Sequence, residues 1–401
     1  MKVDGARSNA LIPEARFLLQ NIRLQENQTL DVPSQLNWKD VLELAKRHSV
    51  VPLLYTSLIQ SRRLVPPEVL EQLRIESSKI AGRNAVLKRE LLHILKLLQQ
   101  NSFDVIPYKG PVLTETLYGN VGLRHFDDLD ILVHKKDFDR VKDLLLNSGF
   151  VPKKSIAKIT PAQEKALMSV QYTYDFINER SRTPLEVHWR FLPKSFSLDL
   201  DLEAIWQRCS RVTYESLSVP VFNKEDLLLN LCIMGAKKSW DTLSRVCDVA
   251  RLISRSADLD WNSAIQRARD AGAERILLVG LHLATILFEV SIPDPVAKRL
   301  GGDANVQELS DSIVRTMFLA DHHTFVRSDD QFQPMHYRIR ERFSDRFRYC
   351  YRLALTPGLG EWNAIALPGY AYWLYYPLRP LRLAGKAARR LLGQKPRGQG
   401  A

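Results

Sequence analysis

The sequence predicts an α/β fold in which a small α/β core lies between a helical head and a helical second half. Three observations predict it. Apolar residues recur at helical spacing on both sides of the middle of the chain. In the middle, "DLDILV" (128–133), an apolar-faced helix, a glycine and a new β-prone start at "FVPKK" make one αβ unit. Two further β-prone runs follow, "SVQYTYDFI" (169–177) and "PLEVHWRF" (184–191). The chain therefore divides into a helical N-terminal region (1–85), the α/β core (86–200), a helical domain (201–345) and a C-terminal segment with a basic tail (346–401).

In the head, "NWKDVLELAKRHSVVPLLYTSLI" sets Trp38, Val41, Leu42 and Ala45 on one helical face, and Pro52 opens a further short helix. "VLKRELLHILKLLQQN" (86–101) carries Leu87, Leu91, Leu92, Ile94 and Leu95 at the same spacing. "FDVIPYKG" (103–110) is a short β-prone run closed by glycine, and Pro111 sits where a first helical turn tolerates proline. The helix "PVLTETLYG" stops at Gly119, and the loop "NVGLRHFD" leads into "DLDILV". Phe138, Val141, Leu144 and Leu145 then share a helical face, with Gly149 as its C-cap. The polar linker "NERSRT" between the last two β runs is of hairpin size. From about residue 201 the pattern is helical: "EDLLLNLCIMGAKKSW", "LSRVCDVARLIS", "DWNSAIQRARDAG" and "ERILLVGLHLATILFEV".

Composition excludes several classes. At 401 residues, 45% hydrophobic and 25% charged, the chain is of ordinary globular make-up. It shows no secretory h-region, and its longest apolar run, "ILLVGLHLATILF" (276–288), is shorter than the roughly 20 residues a membrane span needs, so it reads as a buried helix. The four cysteines have neither CxxC pairing nor metal-ligand spacing, which predicts reduced thiols and a cytoplasmic protein. The net charge of +12 is concentrated at the end. Seven basic residues and no acid lie in 378–401, and the remainder carries +5. That tail lacks interleaved aromatics, so nucleic-acid binding is not the expectation. "YAYWLYYPL" directly before it makes 370–397 a candidate peripheral contact with the inner membrane face, to be set against plain packing of its aromatics.

The chemistry lies in the run "RHFDDLDILVHKKDFDRV" (124–141). Period two in a strand puts Asp128 and Asp130 on one face, opposite Leu129, Ile131 and Val133. Two carboxylates on one face are unfavourable unless protonated or neutralised by a hard divalent cation. Without that cation, mutual repulsion predicts that converting both to Asn is neutral or mildly stabilising. The same alternation puts Glu186 and His188 opposite Leu185, Val187 and Trp189, so Glu186 would supply a third carboxylate if its strand lies beside "DLDILV". Three carboxylates suit the magnesium of phosphoryl transfer. His188 reads as a supporting histidine rather than a ligand, Asp127 as a loop residue, and Asp137 and Asp139 as the opening turn of the next helix.

"KGPVLTETLYGNVGLRHFDDLDILV" resembles the core of the uncharacterised nucleotidyltransferases of the polymerase-β superfamily, with its "lKG…lY…lR…DiDlLV" pattern, and "PLEVHWRF" resembles the following "lElHw" strand. "LAKRHSVVPLLY", "LLNLCIMGAKKSWDTLSRVCDVARLI" (228–253) and "YYPLRPLRL" resemble further stretches. The resemblance implies a polymerase-β-like core with a mixed sheet, flanked by helical regions, and two-metal (Mg2+) transfer of a nucleoside monophosphate from an NTP. Position by position, Asp128 and Asp130 match the paired metal ligands and Glu186 the third. Gly110 matches the glycine that lets backbone approach the triphosphate, and Lys109 the lysine before it. Lys109 and Arg124 are the candidates for phosphate contact. Pro111 stands where the superfamily has Ser or Gly, and Met234 and Lys238 where the family carries histidines.

The expected activity is thus Mg-dependent, ATP-type nucleotidyl transfer to a hydroxyl of an unidentified small molecule, sugar or protein, with release of pyrophosphate. The alternatives are a non-catalytic nucleotide- or partner-binding module on the same fold, and a nucleic-acid tailing enzyme.

Overall fold

The computed structural model describes residues 11–23, 32–33, 35–153, 168, 170–198, 200–319, 333–357, 365, 367 and 369–391. The head contains α1 (Pro13–Ile22), α2 (Trp38–Arg47), α3 (Val51–Leu58) and the first half of α4 (Pro67–Gln100). Asn37 caps α2, accepting from the Lys39 amide at 3.1 Å, and Pro52 lies in the first turn of α3, as expected. The core follows as β1 (Val105–Pro107), α5 (Gly110–Tyr118), β2 (Leu129–Val133), α6 (Phe138–Asn147), β3 (Phe150–Pro152), β4 (Thr173–Asn178) and β5 (Pro184–His188). Gly119 (φ 75°) and Gly149 (φ 85°) take the left-handed conformation that ends α5 and α6.

The five strands form one sheet in the order β1-β2-β5-β4-β3. β2 and β5 are parallel and the other three pairings antiparallel, so the sheet is mixed. The β4–β5 hairpin closes through Asn178, whose side-chain oxygen accepts from the Arg180 and Ser181 amides at 2.9 and 3.0 Å. This Asx arrangement does the work of the turn dipeptide that the linker lacks.

Beyond the sheet lie α7 (Leu202–Gln207), the hairpin β6 (Ser210–Tyr214) and β7 (Leu217–Val221), then α8 (Lys224–Lys237), α9 (Leu243–Ser254), α10 (Trp261–Asp270), α11 (Glu274–Phe288), α12 (Asp294–Gly302) and α13 (Ala304–Leu319). α14 (Pro334–Arg338), α15 (Phe343–Leu355) and α16 (Tyr375–Leu391) complete the described chain. None of the described helices is long and apolar enough to cross a membrane.

Each face of the sheet meets its own core. Leu129, Ile131, Val133, Leu185 and Val187 pack against Leu87, Leu91, Ile94 and Leu95 of α4 and against α6. Ile106, Tyr108 and Leu132 project to the other side and join a core shared by α1–α3 with α8, α9, α11 and α13. Head and second half therefore sit together on one side of the sheet. Trp240, fully buried, fills the gap left by two glycines: a Cβ on Gly235 or Gly280 would come within 2.5 Å of Trp240 or of Cys232 Sγ.

Two features differ from the sequence reading. α4 is continuous for 34 residues, so the boundary placed after residue 85 falls inside a helix. The β6–β7 hairpin lies within the span read as helical. Val212 and Tyr214 alternate with polar residues, Glu215 (φ 53°) makes the turn, and Tyr214 and Val219 are buried against the α4 side of the sheet. In the aromatic segment before the basic tail, Tyr375 and Arg379 are buried, Arg379 donating to the Leu353 carbonyl at 2.8 Å, while Trp373 and Leu381 are exposed. Residues 392–401, with Lys395 and Arg397 of the tail, lie outside the described residues.

Candidate active site

Because β2 and β5 run in parallel register, Asp130 stands directly opposite Glu186, and Leu132 opposite His188. Period two then brings Asp130, Glu186 and His188 to one face. Asp130 Oδ1 accepts from Lys109 Nζ at 2.7 Å and lies 3.0 Å from His188 Nε2, which lies 3.2 Å from Glu186 Oε2. One ligand atom from each of Asp130, Glu186 and His188 falls within 4.8 Å of the others. Among the described residues this is the group able to hold a metal ion.

The electrostatics divide the carboxyls. Asp130 is only 4% exposed; burial alone would raise its carboxyl, but the Lys109 ammonium and the hydrogen bond with His188 bring it well below the usual carboxylate range. Burial likewise opposes ionisation of Glu186, and the hydrogen bond with His188 outweighs it, so this carboxyl is lowered too. His188 responds in the opposite sense. Burial would lower its imidazolium, and its bonds to Asp130 and Glu186 raise it. Asp128 lies at the edge of the group, just before β2. Burial first, then the charges of Asp130 and Glu186, push its carboxyl up to about 6.

Lys109 and Gly110 stand where the sequence reading put them, at the junction of β1 and α5. Gly110 opens α5 at φ 61°, a conformation that disfavours any side chain, and a Cβ there would sit 3.7 Å from the Asp128 carbonyl. The first turn of α5, with its unpaired amides, therefore adjoins Asp128, although Pro111 withholds one donor. Arg124 is placed differently. Its Nε and Nη2 grip both carboxylate oxygens of Asp248 on α9 at 2.9–3.0 Å, and Tyr118 donates to the same carboxylate at 2.8 Å. Its fork is filled by protein, so it joins the core to the helical half. Asp127 is exposed in the loop beside Arg83 and His125, and Asp139 lies in the first turn of α6, as read from the sequence.

His188, read from the sequence as a supporting histidine, lies on the face of Asp130 and Glu186 and touches both. Its alternation with Glu186 already put it on their face. Four residues were missed. Asp175 on β4 pairs with Glu186 from the other side, and burial followed by the Glu186 charge pushes its carboxyl up. Tyr108 and Tyr172 flank the His188 ring at 5.2 and 5.6 Å between centroids. Lys237 reaches from α8 to the Tyr172 hydroxyl at 2.5 Å. Only Asp175 left a signal, an acid alternating with Tyr174 and Phe176. The pairing of Asp130 with Lys109 and His188 argues against the expectation that converting Asp128 and Asp130 together to Asn is neutral or mildly stabilising.

The donor set fits a divalent cation. Carboxylate oxygens from neighbouring strands converge with the His188 nitrogen, and a buried anion already draws a lysine ammonium; Asp128 feels the charges of Asp130 and Glu186 but lies outside this group.

A family model described as uncharacterised nucleotidyltransferase matches residues 34–289, a stretch that contains Lys109, Asp128, Asp130, Glu186 and His188. Two solved structures are similar in part. An antigenic nucleotidyltransferase-like protein from Paracoccidioides brasiliensis is 17% identical over 48% of this chain and 91% of its own, with a TM-score of 0.29. The Megavirus polyadenylate synthase is 14% identical over 65% of this chain and 41% of its own, with a TM-score of 0.26. No curated protein matches the chain significantly.

Proposed function

The chain belongs to the uncharacterised nucleotidyltransferase family, and from that premise we propose that it moves a nucleoside monophosphate from an NTP to a hydroxyl acceptor with magnesium as cofactor. The observation that carries this reading is the register of Asp130 against Glu186 on parallel strands, with His188 and Lys109 converging on Asp130. Asp130, Glu186 and Asp128 would hold the cation, whose chemistry when bound is to neutralise phosphate charge and to lower the pKa of an acceptor hydroxyl.

The protein's own groups then have distinct tasks. His188 orients both carboxylates through one nitrogen. Lys109, with its ammonium already at the site, offers a point charge to the phosphates, and the first turn of α5 offers backbone amides beside it. Arg124 is a strut here, not a phosphate ligand. Glu186, with 29% of its side chain exposed, is the carboxylate an acceptor can reach. In the transfer, the acceptor oxygen bonds to the α-phosphorus and the bond from that phosphorus to the bridging oxygen breaks. Pyrophosphate leaves, and the hydroxyl proton passes to Glu186. Buried Tyr108, held neutral by its surroundings, and Tyr172 wall the imidazole from water.

The test is to incubate the purified full chain with each of the four α-labelled NTPs, with and without magnesium and cell extract. Magnesium-dependent release of pyrophosphate together with a labelled acceptor is expected. Binding of nucleotide without any labelled product or pyrophosphate would assign the chain to the non-catalytic reading instead.

A further inference from the structure

Past the ends of β2 and β5 the sheet carries a second charged feature that the transfer chemistry does not use. Arg190 and Lys194 line a cavity of about 300 Å³ whose walls include Phe191, Leu198 and Leu202, with Arg352 on its rim. Lys135, at the end of β2, stands close enough that the charges of Arg190 and Lys194, after its own burial, pull its ammonium below the usual lysine range. Like charges gathered in this way are unfavourable unless a counter-ion is expected.

The protein supplies none among the described residues. Lys135, Arg190 and Lys194 make no side-chain ion pair or hydrogen bond there. Two described acids of the neighbouring segments are engaged elsewhere: Asp201 caps α7 by accepting from the Ala204 amide at 3.0 Å, and Asp137 faces Arg140 at 3.9 Å. By contrast, the buried carboxylates of Asp130, Asp226 and Asp248 each meet a cation.

The cavity is also tied to the acidic group. The Trp189 and Arg190 amides both donate to the Tyr172 carbonyl, at 3.0 and 3.4 Å, and the Tyr172 ring lies against His188. Arg190 follows Glu186 by four residues, two of them past the end of β5. Lys109 and Gly110 lie at the other end of β2, because Pro107 pairs with Ile131 and Val105 with Val133. The cationic cavity and the phosphate-facing end of α5 are thus on opposite sides of Asp130.

We propose that this cavity binds an anionic group, a phosphate or a carboxylate, carried by the acceptor that receives the nucleotide. Its apolar walls suit a carbon body behind the charge, and its volume is that of a small-molecule pocket rather than a polyanion track. That the anion belongs to the acceptor rests on the transfer reading; that the cavity binds an anion does not.

The experiment is calorimetric titration of the full chain in EDTA, first with inorganic phosphate and then with acetate, which separates the two sources of charge. One-to-one binding of at least one of them is expected, weakening as salt rises. Arg190→Gln with Lys194→Gln is expected to weaken it at least tenfold while leaving the melting temperature unchanged or higher, since repelling charges are removed. Asp130→Asn is expected to leave it intact. No binding of either anion to the wild type, or equal binding by the double variant, overturns the proposal. Magnesium-dependent NTP binding, measured on the same proteins after exchange out of EDTA, reports on the transfer reading separately: its absence in the wild type would count against that reading and not against the cavity.

Discussion

Asp130 and Asp128 are two positions apart, and burial opposes the ionisation of both, but only Asp130 has partners that outweigh it. Asp130 is nearly enclosed but meets Lys109 and His188, so removing its charge leaves those partners uncompensated. Asp130→Asn is expected to cost about 3–5 kcal/mol in urea unfolding of the metal-free protein. Asp128→Asn is expected to be neutral or stabilising at pH 7, since it removes a carboxyl held at about 6 against its neighbours. The pH dependence follows from the same value. The folded pKa of Asp128 lies above the ordinary value near 3.9, so the stability this group contributes is complete below about pH 4 and is lost as pH rises through about 6. A cation needs the ionised form. Affinity for Mn2+ or Mg2+ is expected to rise across pH 6 in the wild type, and calorimetry on Asp128→Asn should lose that step. An unchanged step would place the titration on another group. In the sequence, strand alternation was enough to find both aspartates and Glu186. Their separation into a paired and an unpaired carboxyl was not legible, because it depends on Lys109 and His188 arriving from other strands.

Among the elements, α5 has the least tolerance at its first residue. Gly110 holds φ 61° beside the Asp128 carbonyl, and Gly110→Ala is expected to destabilise by about 1–2 kcal/mol. It should also weaken nucleotide binding more than Gly82→Ala, a helical position with nothing within 4 Å of an added Cβ. Equal effects of the two would remove the special place given to the start of α5. Elements with local punctuation were readable: α5 and α6 end at the glycines expected of them, and β2 and β5 carry clean alternation. β6 and β7 were not, since "RVTYESLSVPV" is short and lies between helical patterns. Its burial against α4 is a tertiary fact. α4 itself hid its length, because its middle, around Gly82, breaks the apolar spacing that marks its ends.

For the molecule as a whole, the bond between core and helical half runs through Arg124, Asp248 and Tyr118. Arg124 and Asp248 are 124 residues apart, and no periodicity in the chain announces their meeting. Each is largely buried, so Arg124→Ala or Asp248→Ala is expected to cost about 3–5 kcal/mol, with the double variant costing less than the sum. Simple additivity in denaturant melts would mean that the two do not act as a pair. The shared core of the head and the second half was equally beyond the sequence, which showed amphipathic helices but not their partners. The central claim, that nucleotidyl transfer occurs at the meeting of β2 and β5, is tested most directly by pyrophosphate release from NTP and magnesium. The wild type should be compared with Glu186→Gln and with Asp130→Asn, each shown by circular dichroism to be folded. Release by the wild type and a loss of at least a hundredfold in both variants is the expected result; undiminished release by either folded variant would contradict it.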